Sequence, residues 1–150
     1  MNRTVLVVVK GLLLAFSAIG CRPITSSSQR TVVVARALWP IVSSTELKSL
    51  VQQSDRPLLV EFGVNDGCFR CDRMKPAIAR LVQRFEGRAD VVRVDFNANR
   101  QSAAQYGATI CPSYIVFNRK TIVSTRSFPT STDLVAIDLE SVMAREGGGL

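Results

Sequence analysis

Histidine is absent from all 150 residues. Without an imidazole there is no Ser-His-Asp or Cys-His nucleophile, and no zinc or copper site that depends on histidine nitrogen. Aromatic residues are sparse at 7%, with one tryptophan and two tyrosines, and no basic tract carries interleaved aromatics. The net charge of +7 is therefore read as a solvated basic surface, with no nucleic-acid partner. Two of the 19 basic residues, Arg3 and Lys10, fall in a candidate leader, leaving 17 against 12 acidic groups. Cysteine is limited to Cys21, Cys68, Cys71 and Cys111. A second Cys-X-X-Cys is missing and no histidine can complete four ligands, so a zinc pair is disfavoured and no metal site is assigned. No organic cofactor is implied. What is present suffices for one folded domain with short appendages: 47% apolar and 21% charged residues.

Residues 1–21 read as an export signal. Arg3 gives a positive start, and Gly11–Gly20 is an apolar core ending in small residues. Ala18-Ile19-Gly20-Cys21 resembles a bacterial lipobox, which would make Cys21 the lipidated first residue of the mature chain, although Ala18 stands where leucine is usual. The other reading is an uncleaved membrane anchor over Thr4–Gly20, interrupted by Lys10. Both expect the folded part outside the cytoplasm, in a bacterial periplasm or envelope, attached to the membrane through the N-terminus. Residues 22–30 are a Ser-rich linker, with a coil span of about 15–18 Å. Residues 31–146 are the expected domain, and 147–150 a frayed tail.

Within that domain, Thr31–Leu38 is β-rich and predicts a first strand. Ser43 with Glu46 forms a capping box ahead of Leu47, Leu50 and Val51 at helical spacing. Leu58–Phe62 is a short apolar run predicting a central strand. Met74, Ile78, Leu81, Val82 and Phe85 form the apolar stripe of a second helix. Further elements are a strand over Asp90–Phe96, a short helix over Gln101–Tyr106, and a hairpin of Ser113–Phe117 with Thr121–Thr125. A last helix, capped by Thr130, turns Leu134, Ile137 and Val142 inward. The order β-α-β-α-β-α-β-β-α predicts an α/β fold, a central mixed sheet flanked by helices that ends in an antiparallel hairpin and a C-terminal helix.

Cys68-Phe69-Arg70-Cys71 opens the second helix. At that spacing both sulfurs lie on one face of the first turn, close enough for a disulfide. Unpaired N–H groups and the positive end of the helix dipole favour a thiolate at Cys68. A thiolate with a second thiol in reach is equipped for thiol–disulfide exchange, the alternative being a purely structural disulfide.

Taken together, residues 31–145 resemble the thioredoxin superfamily. The resemblance rests on Leu59-Val60-Glu61-Phe62 before the cysteine pair, on Pro76 five residues after Cys71, on Tyr106–Ser113 with Pro112, and on the closing hairpin and helix. It implies a protein thiol–disulfide oxidoreductase in which Cys68 is the nucleophile, Cys71 resolves, and a buried Glu61 manages the proton that Cys71 loses. It implies a cis bond before Pro112 and a substrate-binding face of Ile110, Cys111, Pro112, Phe69 and Arg70. The expected partners are proteins with disulfides or thiols and an upstream thiol redox partner, which a membrane could hold. Arg93 matches a basic neighbour of the carboxylate in thioredoxins, and is otherwise a surface arginine.

The chain also departs from that family. Phe69-Arg70 replaces Gly-Pro, Gly67 stands where tryptophan is usual, Asp66 precedes it, and the loop is about one residue longer. Arg70 is expected to favour the Cys68 thiolate and a less reducing potential, with Asp66 partly opposing it. Ile110-Cys111-Pro112 gives no sign of glutathione use. Cys111 keeps three readings: a small buried hydrophobe, a partner for Cys68 in an alternative disulfide, or the third thiolate of a soft-metal or iron–sulfur site. The last belongs to the rival view of the chain as a non-catalytic module binding metal or a partner protein.

Overall fold

Four strands form one mixed sheet in the order β2-β1-β3-β4. The computed structural model describes residues 39–147. The leader, Cys21, the linker, the expected strand Thr31–Leu38 and residues 148–150 lie outside them. Within them run α1 (Ser44–Gln53), β1 (Leu58–Gly63), α2 (Phe69–Arg84), β2 (Asp90–Asp95), α3 (Arg100–Gln105), β3 (Ser113–Asn118), β4 (Thr121–Ser127) and α4 (Asp133–Gly147). β1 pairs parallel with β2 and antiparallel with β3, and β3 pairs antiparallel with β4. Beyond β2 an isolated parallel bridge joins Ile41 to Arg93.

β1 explains why an apolar run reads as a strand: every residue is buried, because neighbours flank both edges and helices cover both faces. Its side chains alternate. Leu59 joins a core with Met74, Ile78 and Leu81 of α2 and Val135 and Leu139 of α4. Leu58, Val60 and Phe62 join the opposite core with Leu47 and Val51 of α1 and Ala103 of α3. Each fully buried side chain of this size contributes roughly 1.5–3 kcal/mol.

The Ser43 capping box forms: Glu46 N donates to Ser43 Oγ at 3.3 Å, and Ser43 N to Glu46 Oε2 at 2.7 Å. α2 continues through Pro76, although its ring removes one backbone donor from the helix.

The last helix differs from expectation. It begins at Asp133, where Thr132 O accepts from Val135 N and Ala136 N, and the Ser131 hydroxyl accepts from Asp133 N at 3.1 Å. Thr130 is exposed and lies outside the cap. The inward face is Val135, Ala136, Leu139 and Val142, whereas Ile137 is 53% exposed and Leu134 half-buried. The reason is at the helix's midpoint. Asp138 accepts from Arg126 Nε at 2.5 Å and Nη2 at 2.8 Å, and from Ser124 Oγ at 2.5 Å, which turns that position toward β4 and fixes the helix's rotation.

Candidate active site at the start of α2

Gly67 has φ 77°, a left-handed backbone that side chains rarely adopt, so the loop geometry accounts for glycine immediately before the cysteine pair. Cys68 then takes the N-cap position of α2, and its Sγ accepts from Cys71 N at 3.1 Å. A thiolate there would meet the donor that the first helical turn leaves unpaired. Cys68 is half-buried and Cys71 fully buried, and the two form a disulfide with S–S 2.19 Å and Cα–Cα 5.2 Å. The outer sulfur is thus the accessible one.

The loop after α3 completes the site from the other side. The Cys111–Pro112 peptide is cis, as the resemblance implies, and Ile110 is 45% exposed. The loop is tied down by Phe128 N donating to Pro112 O at 2.8 Å and by Ser113 Oγ donating to Ile110 O at 2.5 Å. Cys111 is a free, half-buried cysteine, and its Sγ lies within 4.8 Å of both other sulfurs. Forty or more residues apart in sequence, the two segments thus share one sulfur cluster.

Glu61 is completely buried. The sheet register sets it directly between Arg93 on β2 and Tyr114 on β3. Trp39 Nε1 donates to its Oε2 at 3.1 Å, Tyr114 Oη donates to Oε1 at 3.4 Å, and Arg93 Nε lies 3.7 Å from Oε2. Arg93 is also buried and donates through Nη2 to Val64 O at 2.6 Å. It is therefore the carboxylate's neighbour, as the resemblance implies, and not a surface residue. Gly63 makes room for the pair: a Cβ there would stand 3.0 Å from Arg93 Nη2 and 3.1 Å from Glu61 Oε1. Burial pushes the Glu61 carboxyl above its ordinary 4.5, and this outweighs the opposing effects of Arg93, of the Trp39 and Tyr114 hydrogen bonds, and of Lys75. Leu59, two residues earlier on the same face of β1, shares a core with Met74 and Ile78 of α2, so the carboxyl lies under the helix that carries the cysteines. Burial and the adjacent Glu61 push the Tyr114 phenol up as well, so it remains a donor at neutral pH.

Phe69 is 80% exposed beside the pair, and the Arg70 guanidinium stacks 3.6 Å from the centre of the Phe128 ring. Phe69, Arg70, Arg73 and Met74 line one side of a groove of about 490 Å³ whose other wall is Pro129–Thr132. Of the other basic groups on α2, Lys75 pairs with Asp72 at 2.6 Å and Arg84 with Glu140.

All the residues expected to act together, Cys68, Cys71, Glu61, Phe69, Arg70, Ile110, Cys111 and Pro112, lie among the described residues, whereas Cys21 does not. Trp39 and Tyr114 escaped the sequence reading. Tyr114 was recoverable from the register of a predicted hairpin against the central strand. Trp39 had the signal of being the lone tryptophan.

The thioredoxin family model matches residues 39–137. The chain is 34% identical over 76 residues to thioredoxin 1 of Nostoc sp., covering 51% of this chain and 70% of that one. It is 25% identical over 85 residues to a thioredoxin of Haemophilus influenzae, covering 57% and 78%. Among solved structures, the fold is similar to a chain from a study of the thiol resolving mechanism in yeast mitochondrial 1-Cys peroxiredoxin via glutathione/thioredoxin systems. That likeness has a TM-score of 0.62 at 15% identity, over 69% of this chain and 94% of the other.

Proposed function

The chain belongs to the thioredoxin family and is a thiol–disulfide oxidoreductase, and from that premise we propose that it exchanges disulfides with protein substrates outside the cytoplasm, held at a membrane by its N-terminus. The observation that carries the proposal is the Cys68–Cys71 disulfide at the start of α2, its outer sulfur receiving a helical N–H.

In the reducing direction, the Cys68 thiolate attacks one sulfur of a substrate disulfide, and the other substrate sulfur leaves as a thiolate. Cys71 then gives up its proton and attacks Cys68 Sγ, releasing the second substrate sulfur. Two electrons have passed to the substrate and the Cys68–Cys71 bond has formed. Run backwards, the same steps oxidise a substrate dithiol. A second thiol protein resets the pair. Glu61 takes the Cys71 proton, a role favoured by burial that makes its protonated form accessible. The substrate backbone lies along Ile110-Cys111-Pro112, where no hydrogen bond within the described residues reaches the Cys111 peptide groups, and Phe69 with Arg70 forms the rim of the face.

Export and tethering rest on Arg3, the apolar segment 11–20 and Cys21. Among the described residues no helix is long and apolar enough to cross a membrane. Insulin reduction with dithiothreitol tests the exchange: turnover by the full chain, lost in Cys68→Ser, is expected, and no turnover by the wild type refutes it. Metabolic labelling with palmitate tests the tether, with label expected on the wild type and absent from Cys21→Ser.

A further inference from the structure

Three sulfurs, from Cys68, Cys71 and Cys111, lie within 4.8 Å of one another. We propose that the reduced chain binds one Cu(I) ion through these three thiolates. The inference is independent of the exchange activity, since it concerns a state in which the disulfide is open and no substrate is attached.

The ligand set decides the metal. Thiolates are soft donors and select soft ions. A metal about 2.3 Å from each of three sulfurs places those sulfurs about 4 Å apart in a trigonal arrangement. The Cys111 sulfur, within 4.8 Å of both others, needs only a small shift to reach that spacing, and opening the Cys68–Cys71 bond lets its two sulfurs move apart toward it. A closed structural zinc site takes four protein ligands, and with three zinc keeps a water in the fourth position. Among the described residues no fourth cysteine, aspartate or glutamate joins the group, and the sequence holds no histidine. Cu(I), a closed-shell ion, is satisfied by three. Cys71 is buried while Cys68 and Cys111 are half-buried. The ion would therefore sit at the surface end of the site, with a path for a copper-donating thiol to hand it over.

Binding involves no electron transfer: Cu(I) enters as Cu(I), and the thiols release their protons. Among the described residues the oxidised chain offers a single thiol, Cys111, so at this site copper and the disulfide exclude each other. A copper-loaded chain has no free nucleophile, and the site becomes a metal carrier whenever its disulfide is reduced.

The test is an anaerobic titration of the reduced full-length chain with Cu(I) against the chromophoric chelator bicinchoninate. One equivalent is expected, with thiolate-to-copper absorption in the ultraviolet. Losing a direct ligand should cost at least the roughly 10–100-fold that losing an outer-sphere partner costs, so Cys111→Ser should weaken binding by about tenfold or more. An affinity for Cys111→Ser within about threefold of the wild type overturns the site. X-ray absorption of the copper-loaded wild type needs no variant: three sulfurs support the site, and two overturn it. Failure of this titration leaves insulin turnover intact, and failure of insulin turnover leaves the titration intact, so the two proposals are separately refutable.

Discussion

Glu61 carries one donor from Trp39, one from Tyr114 and the nearby Arg93 guanidinium, yet burial keeps its pKa above the ordinary 4.5. Between 4.5 and the higher folded value the native state holds a proton that the unfolded state has lost, so stability falls as pH rises through that window. Glu61→Gln should flatten this slope in denaturant titrations at a series of pH values, and an unchanged slope would exclude Glu61 as its source. The same variant should slow release of substrate from the Cys68 mixed disulfide, on the order of 100-fold if positioned proton transfer has its usual weight. Trp39→Phe removes a hydrogen bond to the Glu61 carboxyl, an interaction of about 1.5–3 kcal/mol at pH values where that carboxyl is ionised. It should lower stability by that order, measured by circular dichroism, and shift the Glu61 window to higher pH, because the lost bond held the pKa down. Glu61 was legible in the sequence because a carboxylate interrupting Leu58-Leu59-Val60 has few reasons to be there. Trp39 was not legible, because its role depends on a segment that joins the sheet by a single bridge at Ile41.

At the scale of elements, α1, β1, α2 and the hairpin were readable from capping residues, apolar runs and helical spacing, each a local signal. α4 was not. Its sequence offers Thr130, Ser131 and Thr132 in succession as caps, and apolar residues on more than one face. The choice was made by contacts with β4, where Asp138 receives Arg126 and Ser124. Ser131→Ala should therefore cost about 1 kcal/mol, the usual scale for a residue whose side chain accepts from a helix's first N–H groups. Thr130→Ala should stay within about 0.5 kcal/mol of the wild type. Equal effects in thermal unfolding would show that Thr130 shares the cap after all.

For the molecule as a whole, the order of motifs made the family legible, since Cys68–Cys71, Pro76 and Pro112 with its hairpin occur in the sequence that the fold requires. The resemblance already placed Cys111 against the cysteine pair, and the structure adds the distance, with its sulfur within 4.8 Å of both others. The tuning of the site is likewise a property of the whole. Arg70 keeps a positive charge near the helix start, held over Phe128, and the Cys68–Cys71 couple is expected to be less reducing than about −270 mV, the thioredoxin value. Equilibration with glutathione measures it, and a value at or below that mark would remove Arg70 as a determinant. Arg70→Ala should move the potential toward more reducing values.

One feature of the buried cluster also makes the native protein its own spectroscopic instrument. Trp39 is the chain's one tryptophan, and its indole N–H is bound to the Glu61 carboxyl. Light that excites tryptophan selectively therefore draws emission from a single place, beneath the helix that carries the cysteines. The colour and yield of that emission should follow the ionisation of one buried acid, so its titration can be watched in the unlabelled chain.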